Sequence, residues 1–129
     1  CHQPADEGGF SMLCDAEKVF TKLQNDEKQQ LSKIHVFEHK VFPENRNSNP
    51  IVRENNGSRK FYYSFWLTRE KYRKNPVLLK WKSLIKESKH IKIRLNKRDL
   101  LIIDNHRILH GRTKIAGKTQ RFLKRYWLR

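Results

Sequence analysis

The last quarter of the chain limits its fold more than any other stretch. Leu100 to Ile103 is a short, wholly apolar run that stops at Asp104-Asn105-His106-Arg107. An apolar run of that length bounded by turn residues reads as a buried strand. Arg121 to Arg129 alternates strictly, with Arg121, Leu123, Arg125 and Trp127 on one face and Phe122, Lys124, Tyr126 and Leu128 on the other. Ile91, Ile93 and Leu95 alternate in the same way. These strand patterns predict a β-rich core.

Upstream, the pattern mixes helices with strands. Residues 1–11 read as a strand end entering a Gly8-Gly9 turn. Asp15 is placed to cap a helix whose Ala16, Val19, Phe20 and Leu23 recur at helical spacing. A second helical piece is expected over 26–31, and a strand over 34–42 that Pro43 ends. The stretch 44–59 is rich in Asn, Pro, Ser and Gly, has little to bury, and is expected to be a mobile loop or lid. Residues 60–67 read as an aromatic strand or a buried segment approaching a site, and 68–89 as helix divided by Pro76. The whole predicts one domain over 1–129, mainly β with flanking helices.

The net charge of +16 draws polyanions to the surface. It fits nucleic acid, an acidic protein or an anionic substrate, and equally a lysine-rich proteome or a fragment whose acidic half is absent. No zinc-finger spacing, RNP-type sequence or basic region leading into heptads accompanies it. No apolar window is long enough to span a membrane, and no charged-then-apolar leader opens the sequence, so a cytoplasmic protein is expected. Cys1 and Cys14 lack CxxC spacing and read as thiols rather than a disulfide.

Two kinds of residue at the C-terminal end carry chemistry. His110 stands just past the apolar run and its turn, where an imidazole serves either as a metal ligand for iron, zinc or copper or as a hydrogen-bonded structural group. His106 competes for the role but sits in the turn, where greater exposure is expected. Arg121 and Arg125 lie four residues apart, about 13 Å along a strand. Two inward guanidinium groups are costly unless an anion meets them, and their fork suits a carboxylate. An outward, solvated face is the alternative, against which Leu123 and Trp127 on the same face argue.

The block LLIIDNHRILHGRT (100–113), followed by Arg121 and Arg125, resembles the distal end of the TauD/TfdA-like (clavaminate-synthase-like) iron(II), 2-oxoglutarate-dependent dioxygenases. Arg121 stands eleven and Arg125 fifteen residues after His110, as in that family. The opening CHQPADEGGFS (1–11) is similar to the family's C-x-x-P-A-x-x-G-G-x-[ST] segment. The resemblance covers 1–31 and 91–129 well and the middle loosely. It implies a double-stranded β-helix (jelly-roll), incomplete at the N-terminus. It implies His110 as the distal ligand of Fe(II), with Arg121 and Ser11 holding the far carboxylate of the cosubstrate 2-oxoglutarate. Arg125 is implied to help bind cosubstrate or a substrate anion. The implied reaction couples O2 and oxidative decarboxylation of 2-oxoglutarate to oxidation of a substrate.

The sequence departs from the family in one respect. The first His-x-Asp/Glu motif would fall ahead of Cys1, and neither His2, His35 nor His39 begins one. The chain is therefore expected to be the C-terminal part of an oxygenase, inactive alone, with a natural metal-free relative as the other option. The segment CHQPADEGG looks most like members that hydroxylate small, amino-acid-derived substrates, some tethered to acidic carrier proteins. A basic nucleic-acid- or polyanion-binding domain, or a non-catalytic relative of the dioxygenases, is the alternative.

Overall fold

The computed structural model describes residues 1–37, 48–64, 67–68, 70–118 and 121–127. Strands β1 (Glu7–Gly8) and β2 (Ser11–Asp15) lead into helices α1 (Ala16–Phe20) and α2 (Asn25–Lys33). Strands β3 (His35–Phe37), β4 (Ser48–Pro50), β5 (Val52–Asn55) and β6 (Ser58–Phe61) follow. A 3-10 turn at Glu70–Tyr72 precedes α3 (Pro76–Glu87), and β7 (Ile91–Ile93), β8 (Ile108–Arg112) and β9 (Ile115–Ala116) complete the order. The strands form four small sheets, ordered β7-β2-β8, β1-β9, β3-β4 and β5-β6. The chain is thus mainly β with a few helices, and its described residues form no closed sheet. No helix of the described residues is long and apolar enough to cross a membrane.

The chain divides into two compact units: Cys1–Cys14, Lys89–Asp104 and His110–Arg129 make one, and Asp15–Ser88 with Asn105–Leu109 the other. The second holds most of the core. Ala16, Val19 and Phe20 of α1, Leu31 of α2, Ile51, Val52, Phe61 and the Val77, Leu78 and Trp81 face of α3 are all buried there. The Phe61 ring stacks on Trp81 and meets Phe20 edge-on. Each helix starts where its sequence satisfies the first free N–H groups. Asp15 accepts from Glu17 and Lys18 N–H at α1, and the Asn75 side chain accepts from Leu78 N–H at α3. The Gln24 N–H donates to Glu27 at α2. Arg107 pairs with Asp15 at 2.9 Å, and that hydrogen bond, first among the causes, holds the Asp15 carboxyl below its ordinary value. Arg59 pairs with both Glu17 and Glu54.

In the first unit β2 is the central strand, with Ser11 opposite Ile93, Met12 opposite Lys92 and Leu13 opposite Ile91. Its buried apolar set is small: Ala5, Leu13, Cys14 and Leu95. Large side chains lie outside it, with Ile91, Phe122, Tyr126 and Trp127 exposed. Cys1 and Cys14 are both free thiols, Cys14 buried.

Four expectations differ from this picture. Leu100 to Ile103 is not a buried strand: it pairs with nothing as a ladder, and Leu100 and Ile102 are 79% and 71% exposed. Only its alternate residues Leu101 and Ile103 are half-buried. Arg121 to Trp127 is not a continuous strand either, because only Phe122 bridges, to Gln3. Of the expected loop 44–59, residues 48–50, 52–55 and 58–59 lie in strands, and Ile51 and Val52 are buried. There β5 and β6 form a hairpin with Asn55 opposite Ser58, turned by Asn56 and Gly57 at φ 49° and 74°. Two consecutive left-handed residues give the turn whose twist matches a two-residue hairpin. Residues 44–47 lie outside the described residues, as do 38–42 of the strand expected over 34–42. Finally, Pro76 opens α3 rather than dividing a longer helix, since its missing N–H costs nothing at the first helical position.

Candidate functional site

The first unit brings all four predicted site residues into two hydrogen-bonded pairs. Ser11, the first residue of β2, is buried. Its Oγ accepts from Arg121 Nη2 at 2.9 Å. His110, on β8, has its Nε2 at 2.9 Å from Arg125 Nη2.

The glycine pair ahead of Ser11 makes the first contact possible. Gly8 and Gly9 take φ values of 67° and 63°, the left-handed region that glycine enters without a Cβ penalty. A Cβ on Gly8 would lie 2.1 Å from the Lys114 carbonyl oxygen, so β1 approaches β9 only because the side chain is absent. A Cβ on Gly9 would lie 3.3 Å from Arg121 Cδ. The aliphatic stem of Arg121 therefore runs across bare glycine backbone and delivers its guanidinium to Ser11. Backbone bonds hold both sides in register: Gly9 N–H donates to Lys114 O, and Thr113 N–H donates to Phe10 O. Beside Arg121, Phe122 N–H donates to Gln3 O at 2.8 Å, and His2 N–H donates back to Phe122 O at 3.0 Å.

Electrostatically this is a cationic site short of anions. Arg121 is half-buried, and among the described residues no carboxylate pairs with it. Burial first, and repulsion from Arg112 second, lower its pKa. Lowering means that the charged form is held at a cost, which a bound anion relieves. The unit as a whole carries twelve Lys and Arg against four Asp and Glu. His110 and Arg112 are two residues apart on β8 and so share a face of that strand.

Sequence reasoning placed these four residues in the site but missed what supports them. Thr113 Oγ1 accepts from Phe10 N–H at 3.0 Å and fixes the backbone next to Ser11. Arg112 supplies the like charge that makes Arg121 seek an anion. Arg94 donates to the Ala5 and Asp6 carbonyls and lies over the Phe10 ring. The signal for the first two was the GRT that ends the histidine block. The expected exposure of the two histidines is reversed. His106 is half-buried with its ring 5.1 Å from Tyr62, whereas His110 is exposed.

The donor sets decide which ligands the residues fit. A hydroxyl and a guanidinium on adjacent elements fit a carboxylate, since both can donate to its oxygens. A metal ion is not fitted: among the described residues no three His, Cys, Asp or Glu side chains are grouped to hold one. His110 supplies a single imidazole, and a guanidinium occupies its Nε2.

A family model described as "Taurine catabolism dioxygenase TauD, TfdA family" matches residues 1–127. No curated protein matches the chain. The match spans nearly the whole sequence, and the chain belongs to that family.

Proposed function

We propose that this member of the taurine dioxygenase family is part of an iron(II), 2-oxoglutarate-dependent oxygenase and contributes the wall that binds the cosubstrate's far carboxylate. The observation that carries the reading is the half-buried Arg121 guanidinium on Ser11 Oγ, with no carboxylate partner among the described residues. Arg121 would receive one carboxylate oxygen pair through its fork, and Ser11 would turn its hydroxyl proton toward the same group. The match to the family and the offsets of Arg121 and Arg125 from His110 support the same assignment.

In such oxygenases the iron with 2-oxoglutarate supplies the oxidising chemistry. His110 is the one residue of this chain we assign to it. A facial site takes two histidines and a carboxylate, so the chain by itself does not fit the ion, and we derive no step through it. We assign to the chain a jelly-roll framework, a small, amino-acid-derived substrate, Arg125 as a second group for a cosubstrate carboxylate or the substrate's anion, and an acidic carrier as a partner suited to the +16 charge.

Selectivity tests the reading. In metal-free buffer, 2-oxoglutarate should bind saturably, in preference to inorganic phosphate, and binding should depend on Arg121. A duplex oligonucleotide that binds more tightly than 2-oxoglutarate, with no dependence on Arg121, would replace this reading by polyanion binding.

A further inference from the structure

We propose that Arg125 is a positioning residue that makes the reactivity of His110 Nε2 depend on whether an anion is bound. The proposal rests on the carboxylate-site reading above. Arg125 Nη2 lies 2.9 Å from His110 Nε2. A guanidinium has donors and no acceptor, so a hydrogen bond at this distance uses Nε2 as its acceptor. Arg125 thus caps Nε2.

That cap is held by a weak competitor. Arg125 is exposed, its guanidinium stands 5.8 Å from the Trp127 ring centroid, and among the described residues no carboxylate pairs with it. A single neutral nitrogen is a poorer acceptor for a guanidinium than a carboxylate, which carries the opposite charge and can take two N–H groups of the fork at once. An anion that binds Arg125 therefore draws its guanidinium off Nε2. Linkage makes the effect reciprocal: whatever occupies Nε2 frees Arg125 to bind an anion. Arg125 thus does for His110 something distinct from holding an anion itself.

The test uses diethyl pyrocarbonate, which acylates unprotonated imidazole nitrogen, with the rate at His110 read by peptide mass mapping in metal-free buffer and His90 as internal reference. Wild type should react slowly, and saturating 2-oxoglutarate should speed His110 about fivefold, the factor expected for losing one hydrogen bond. Arg125→Met should react fast without anion and be indifferent to it, and Arg125→Lys should restore slow reaction. Calorimetry on the same samples reports binding separately. Protection or an unchanged rate at His110 while 2-oxoglutarate is bound overturns the coupling and leaves the carboxylate site standing. An Arg125→Met rate equal to wild type without anion shows that no cap exists. Absence of 2-oxoglutarate binding to wild type removes both the carboxylate site and the coupling.

Discussion

Removing the Arg121 guanidinium should separate carboxylate binding from everything else the first unit does. Arg121 donates to Ser11 Oγ, lies along Gly9 and is half-buried. Hydrogen bonds to a charged group contribute about 1.5–3 kcal/mol each. Arg121→Ala removes the fork but leaves Arg112 and the Ser11 hydroxyl to attract the anion, so we expect a net loss of about 2–3 kcal/mol. That is about 30- to 150-fold in affinity for 2-oxoglutarate. Arg121→Lys keeps the charge, loses the fork and should cost about tenfold. Ser11→Ala loses one hydrogen bond to the charged carboxylate, worth about 1.5 kcal/mol, or about tenfold. Isothermal titration in metal-free buffer measures all three, with 2-oxobutyrate, which lacks the far carboxylate, as comparator. The reasoning fails if Arg121→Ala binds 2-oxoglutarate within twofold of wild type. It fails equally if 2-oxobutyrate binds wild type as tightly as 2-oxoglutarate does.

Three further outcomes follow from the packing. Gly8→Ala puts a Cβ 2.1 Å from Lys114 O at a left-handed φ; it should cost about 2 kcal/mol or more and lower Tm by about 5–10 °C, and hydrogen exchange at the Gly9 amide should accelerate. The Asp15 carboxyl is held below its ordinary 3.8 by Arg107 first, so its stabilising contribution is full above that value and lost as pH falls through the lower folded one. Asp15→Asn keeps the helix cap and loses the exposed ion pair, so it should cost about 0.5 kcal/mol at pH 7. Urea unfolding should show that the difference from wild type disappears in strong acid. With Leu100 and Ile102 exposed, the chain should self-associate as its concentration rises. Sedimentation velocity should show that Leu100→Ser with Ile102→Thr reduces this, and a strictly monomeric wild type would contradict it.

How much of this was legible depended on whether the signal was local. Asp15 as cap and the helical face of Ala16, Val19 and Phe20 could be read because a cap and a stripe within a few residues decide a helix. The Asn56-Gly57 hairpin was equally local and was overlooked, because the polar composition of 44–59 masked a turn dipeptide with strands on both sides. Leu100 to Ile103 was misread for the opposite reason. A strand needs a partner, and no property of the run itself shows whether one exists. The faces of the Arg121 segment were misassigned for the same cause.

The four candidate residues meet in pairs through backbone closures, not through strand periodicity. Arg121 reaches Ser11 across Gly9, and the neighbouring Phe122 is clamped to Gln3, so a single bridge does the work expected of a whole strand. This also explains why the two halves of the candidate site differ in completeness. A carboxylate anchor needs one hydroxyl and one guanidinium, and the Gly8-Gly9 turn brings both together within the first unit. A metal centre needs about three ligands converging on a point, and among the described residues no such group exists, while the one candidate imidazole is hydrogen-bonded to Arg125.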